Sequence, residues 1–570
     1  MRYVAKGFAR CAIVALSLTA GMGSAQELAP GAAGAYLAAR QASEHNDYRA
    51  AARLYTEAMT YEPSNTALTE NAMSAYMALG DFQKAERLGK RMIAAGSTSQ
   101  IAHMALIVSE AQRGAYDEMS AAFEAGTRVG PLVDGLLRGW AAIGAGRFED
   151  GMAAFDAIAE RQGLKPFAAH HKALAYGFAG DFESAADIFS GATYGALPDN
   201  RRGLLANVMV LSQLGRNDDA RAEIGRVMGP ELDATFSSID ARLAAGEALP
   251  FSEIMSAADG MAEVFYTVSS ALDGEAADSY ALLYSRVAEA LNPRHIEALL
   301  LSGSFLERLG RPELATLAYD RVPREAPEYI TAEIARADAL RAAERPDAAA
   351  EAMQQLAKAY PDVPAVHAKL GDTLRRLERF GEAVKAYDAA LALHGDPHPD
   401  HWFSYFARGI SNEREGDWPA AESDFRMALE LRPNQPQVMN YLGYSLVEKN
   451  MKLDEALEMI EAAATARPDS GHILDSLGWV LYRLGRYDEA VGPMETAVEL
   501  MATDPVINDH LGDVYWAVGR YTEAHFQWLR ALSFDPEAEE AERIRRKIDV
   551  GLDIVLEEEG LEPLAVATDG

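Results

Sequence analysis

Five side chains of metal-ligating type crowd into one short stretch: His394, Asp396, His398, Asp400 and His401. Further on, Asp475 precedes Trp479 by four residues and Asp509 precedes Asp513 by four. Residues four apart share one face of a helix, so these pairs would present a carboxylate beside a ring and two carboxylates side by side. Imidazoles and carboxylates together suit a transition metal. Pro397 and Pro399 interrupt the cluster, however, and it reads as a lengthened loop with no metal site and no cofactor assigned. His170, His171 and His510 have no partner at ligand spacing and read as packing or surface residues. No glycine-rich phosphate loop, His-Glu-x-x-His pair or nucleophile elbow occurs, and the single cysteine, Cys11, is the only thiol. The chain is not expected to be an enzyme.

The elements that position these side chains follow from a phase in the last third. Leu442-Gly443, Leu477-Gly478 and Leu511-Gly512 are followed by Ala456, Ala490 and Ala524, which are 34 residues apart. Four residues after each alanine comes a bulky Ile460, Met494 or Trp528, then Ala463, Ala497 or Ala531, and then Pro468, Pro505 or Pro536. Small residues on both helices of a hairpin allow close packing, and the proline ends the second helix. No long polar–apolar alternation suggests a sheet. The fold class is therefore all-α, a solenoid of stacked helix-turn-helix units.

This spacing resembles the tetratricopeptide repeat, which joins Leu-Gly in its first helix to Ala, a bulky residue, Ala and Pro in its second. Upstream copies are carried by Leu370-Gly371 with Ala383, Tyr387 and Ala390, by Gly409 with Ala421, Phe425, Ala428 and Pro433, and by Gly303 with Ala315 and Tyr319. Fainter copies start at Asp47-Tyr48, Gly80-Asp81-Phe82, Gly146-Arg147-Phe148 and Gly180-Asp181-Phe182. The expected organisation is a degenerate array over 26–232, an irregular helical joint or divergent repeats over 233–293, a regular array over 294–536, and a cap with a tail over 537–570. Roughly fourteen or fifteen units would fill the chain at this period. Within the cap, 537–556 reads as one helix with Ile544, Ile548, Leu552 and Val555 on one stripe. A solenoid grows by stacking neighbours, so the three or four domains suggested by length alone are not needed.

Residues 1–25 carry Arg2, Lys6 and Arg10, an apolar stretch from Cys11 to Ala20, and Gly23-Ser24-Ala25. This reads as a secretory signal peptide cleaved after Ala25, and the expected location is a bacterial periplasm. No later segment is apolar for long enough to cross a membrane. The net charge is −33, and losing the three cations of 1–25, which holds no acid, takes it to −36. So acidic a chain opposes attachment to nucleic acid.

The resemblance implies that first helices line a concave surface where extended peptides lie. The groove positions it implies are Asn440 and Tyr444, then Asp475, Trp479 and Tyr482, then Asp509, Asp513 and Trp516. Aromatic rings supply contact area, and carboxylates favour a lysine, an arginine or a free amino group in a protein or peptide partner. A clamp for a C-terminal carboxylate would need lysines that are absent at these positions. The aromatics Tyr444, Trp479, Tyr482 and Trp516 would alternatively stack on the sugar rings of exopolysaccharide or cell-wall glycan.

Overall fold

The computed structural model describes residues 32–229 and 232–561. The expected signal peptide, 1–25, and the tail from 563 lie outside the described residues. Among those described there are 31 α-helices, one 3-10 turn at Pro399–His401 and no strand. Twenty-eight of the helices follow one another as fourteen pairs, from Ala32–Glu44 with Tyr48–Tyr61 to Pro505–Ala517 with Tyr521–Leu532. Ala234–Ala244 stands alone, and Ala538–Val550 and Leu552–Glu558 close the chain. The chain divides into two compact units, Met1–Ala352 and Met353–Gly570.

The in-phase small and bulky residues work as notch and knob. A Cβ added to Gly443 would lie 2.7 Å from Ile460 Cγ1, one on Gly478 2.4 Å from Met494 Cγ, and one on Gly512 2.4 Å from Trp528 Nε1. Ala456, Ala490 and Ala524 are fully buried beside these contacts. Side chains filling such notches replace water by close packing, which is the main stabilising term of the pair. Helix starts are fixed by aspartates: Asp47 accepts the Ala50 N–H at 3.0 Å, and Asp504 accepts those of Val506 and Ile507 at 3.0 Å each. Prolines at the first helical turn, as at Pro436 and Pro505, cost no hydrogen bond there.

In the unit Met1–Ala352 the segment 233–293 packs on more than its neighbours in sequence. Its two long helices, Ala257–Leu272 and Asp278–Leu291, form a hairpin packed against the first helices Thr66–Ala78, Gln100–Gln112, Pro131–Gly144 and Lys165–Ala179. Met261, Val264, Phe265, Leu282 and Val287 share one core with Met73, Met104, Leu136, Trp140 and Leu174. Gly260 lets the hairpin approach: a Cβ there would fall 2.2 Å from the Trp140 ring. Polar ties cross the same boundary. The Gln100 amide donates to the Tyr284 hydroxyl at 2.6 Å, the Gln112 amide to the Ala290 carbonyl at 2.8 Å, and Arg286 to the Ala78 carbonyl at 3.1 Å. Asp278–Leu291 is buried on nearly all sides from Ala281 onward, which marks a central core helix. The repeats of this unit thus wrap a piece of their own chain.

A buried charge cluster joins that hairpin to the sixth pair. Arg202, at the start of Arg201–Gln213, donates to Glu263 at 2.8 Å and pairs with Glu253 at 2.6 Å and Glu297 at 3.3 Å. His295 lies 3.2 Å from the same Glu263 carboxylate. Burial pushes the Glu253 carboxyl up to about 7, against the pull of Arg202. Glu263 stays well below the usual carboxylate range because Arg202, His170 and His295 outweigh its desolvation.

Candidate functional site: the first-helix face of the C-terminal repeats

In the unit Met353–Gly570 the first helices are Pro364–Arg376, Trp402–Arg414, Pro436–Glu448, Gly471–Arg483 and Pro505–Ala517. Three of the four pairs of successive first helices touch one another, while successive second helices do not approach as closely. The first helices therefore form the more closely packed layer. It carries all eight groove residues expected above.

Asn440 and Tyr444 are half-buried on Pro436–Glu448, and the Asn440 side-chain oxygen has no hydrogen-bond partner. Burial pushes the Tyr444 hydroxyl up, with Glu448, Asp475 and Glu540 adding to the effect. Trp479 donates its indole N–H to Glu448 at 2.7 Å. Its ring stacks on Tyr482, with centroids 4.9 Å apart, and on His510, at 4.0 Å. Tyr482 itself is buried, 7% exposed.

The carboxylates are already engaged. Asp475 lies 2.9 Å from His510 Nδ1. Asp509 and Asp513 both take the Lys547 ammonium, at 2.8 and 2.7 Å. Asp513 also accepts the Trp528 indole N–H at 2.9 Å. Lys547 has no exposed surface. Trp516 donates to Asp553 at 3.0 Å and lies under Gly551, where an added Cβ would fall 2.5 Å from its ring. The expected single helix over 537–556 is thus broken: Gly551, at φ +86, divides it because the chain passes too close to Trp516 for a side chain. Of the eight positions, the three on Pro505–Ala517 are contacted by the C-terminal helices.

Four participants were not among the expected residues. Lys547 sits three residues after Ile544 on the buried stripe, so helical spacing alone placed it inward. His510, expected to pack or face solvent, is buried at 8% exposure and paired. Phe403, 41% exposed, and Phe406 extend the aromatic surface on Trp402–Arg414, where Phe406 meets Tyr441 at 5.8 Å. The loop at His394–His401 stacks two imidazoles, His394 and His401, at 3.9 Å. Among the described residues no group of three or more His, Cys, Asp or Glu side chains is arranged to hold a metal ion.

Burial alone would drive the proton from His510, but Asp475, with Asp509 and Asp513 behind it, holds it on and raises its pKa above 6.5. A raised folded-state pKa means stabilisation that is complete below 6.5 and lost as pH climbs through the higher folded value. The melting transition of the C-terminal unit is therefore expected to fall as pH rises above 6.5. Asp475→Asn should flatten that dependence in a pH series of thermal melts.

Residues 334–397, 368–436 and 442–505 match one family model described as tetratricopeptide repeat, and residues 42–106 match a second of the same description. These stretches are tetratricopeptide repeats. It is 33% identical over 89 residues to the TPR repeat-containing protein PA4667 of Pseudomonas aeruginosa, covering 16% of this chain and 15% of that one. It is 36% identical over 81 residues to bacteriophage adsorption protein A of Escherichia coli, covering 14% and 8%. Each match spans 15% or less of the relative's own length. Among solved structures, the APC/C hetero-tetramer Cut9-Hcn1 aligns over 92% of this chain and 97% of its own, at 13% identity and a TM-score of 0.38. Tetratricopeptide arrays are protein-interaction scaffolds, and among the described residues no helix is long and apolar enough to cross a membrane.

Proposed function

We propose that this tetratricopeptide protein is a noncatalytic scaffold, exported to the bacterial envelope, that holds a protein or peptide partner on the first-helix face of its C-terminal repeats and serves assembly or secretion of envelope components. The observation that carries this reading is the hairpin 257–291. It fills the corresponding face of the N-terminal repeats, so the chain has spent that surface on itself, while Phe403 is exposed and Asn440, Tyr444 and Trp479 each keep part of their surface open. The open stretch offers aromatic rings, suited to an extended segment with apolar side chains. Glycan stacking is the weaker reading, because the rings of Trp479 and Tyr482 already stack on each other and Trp516 is covered. Export rests on Arg2, Lys6 and Arg10 ahead of the apolar stretch ending near Ala25, and a mature N-terminus at Gln26 in the periplasmic fraction is expected.

The test is partner capture from crosslinked envelope by the intact chain. Trp479→Ala is expected to lower capture at least tenfold, in line with the ~2 kcal/mol typical of a central aromatic anchor, without lowering the helical content. Unchanged capture by a folded variant would place the partner elsewhere.

A further inference from the structure

Among the described residues the C-terminal helix Ala538–Val550 is seated on the last repeat by two kinds of contact. Ala541 and Ile544 are its buried apolar anchors, and Leu552, Val555 and Leu556 are those of the short helix Leu552–Glu558 that follows. Lys547 inserts its ammonium between Asp509 and Asp513, 5.8 Å from the centroid of the Trp528 ring. Arg543 adds a weaker link, 3.7 Å from Asp513. Both aspartates occupy groove positions on Pro505–Ala517. The helix therefore lies over the same face on which the proposed partner rests.

We propose that the seat made by Asp509, Asp513, Trp516 and Trp528 is a docking site for an amphipathic helix that presents a lysine three residues after an aliphatic anchor, and that the chain's own C-terminal helix is its resident occupant. This rests on the reading that the first-helix face of the C-terminal repeats is the partner surface, and it assigns both the chemistry of the partner segment and the control of access. Two carboxylates held this close need a cation; without one, Asp513, 1% exposed, would be left facing Asp509 with only the Trp528 N–H. The seat is therefore selective for a lysine-bearing helix, and an apolar helix of the same shape would be rejected by the charge it leaves uncompensated. The resident helix is joined to the last repeat by residues 533–537, and so short a tether holds it at an effective concentration on the order of millimolar. A free helix with the same contacts, supplied at micromolar concentration, leaves it in place. A partner gains entry when it also engages the open stretch around Tyr444 and Trp479.

The probe is a fluorescent peptide of residues 537–560, titrated into the full chain. Lys547→Glu sets a third carboxylate against Asp509 and Asp513 and should expel the resident helix, and Ile544→Asp should do the same by removing an apolar anchor. Either folded variant, with fast hydrogen exchange over 538–558 as the sign of release, is expected to bind the peptide at least tenfold more tightly than the unaltered chain. Adding Asp513→Asn should return binding to the unaltered level. If a released, folded variant binds the peptide no better than the unaltered chain, or if Asp513→Asn makes no difference, the seat is only a structural cap and the proposal is wrong. Loss of partner capture in Trp479→Ala is read separately: where it persists and peptide binding fails, the seat fails and the groove stands, and the converse result removes the groove and keeps the seat.

Discussion

Replacing Arg202 with methionine is expected to destabilise the N-terminal unit by about 3–5 kcal/mol, the usual cost of removing one partner from a buried ionic group. Methionine keeps most of the volume, so the loss is electrostatic. Glu263 and Glu253, with side chains 2% and 8% exposed, would be left facing each other and Glu297 without their shared guanidinium. The melting transition of that unit should fall by roughly 5–15 °C. The deficit should shrink as pH drops toward the ordinary carboxyl range, since protonation removes the uncompensated charge. Adding Glu263→Gln should restore part of the stability, because the remaining carboxylates then have less charge to oppose. A methionine variant that melts with the unaltered chain across that pH range would show that the cluster does not tie the hairpin to the repeats.

Trp140→Ala should cost about 3–5 kcal/mol, the range for truncating a large buried aromatic. Trp140 is fully buried between the repeats and the hairpin, packs edge-on to Phe155 at 5.8 Å, and donates its indole N–H to His171 at 3.1 Å. His171 is itself buried, and desolvation lowers its pKa to about 3, so it serves as a neutral acceptor. The substitution therefore opens a cavity and leaves that nitrogen unpaired. A double-mutant cycle isolates the hairpin contact. Gly260→Ala should be costly when Trp140 is present, because its methyl would meet the ring, and nearly neutral in the Trp140→Ala background. Additive thermal shifts would mean that Gly260 and Trp140 do not meet.

The repeat architecture was legible because its information is local. Gly443, Gly478 and Gly512 stand at a fixed distance from Ile460, Met494 and Trp528, and those are the side chains that fill the glycine notches. The hairpin was not legible for the opposite reason. Tyr280, Leu283, Val287 and Leu291 read as one apolar stripe, but Ser285, Arg286 and Glu289 on the other faces are also buried. Arg286 is satisfied by the Ala78 carbonyl, 208 positions away, and Ser285 accepts from Ser302. No spacing rule within a helix announces such partners. At the candidate site, groove residues were placed on the right helices, yet nothing local showed that Asp509 and Asp513 already hold a cation. Lys547 lies 38 and 34 positions further along the chain.

Hydrogen exchange of the intact chain, read helix by helix, tests most directly whether the N-terminal repeats are filled by their own hairpin. The account predicts that amides of Asp278–Leu291 exchange only through global opening of that unit, as slowly as those of Gln100–Gln112 and Pro131–Gly144. Exchange of Asp278–Leu291 within minutes, while those wrapping helices stay protected, would contradict it.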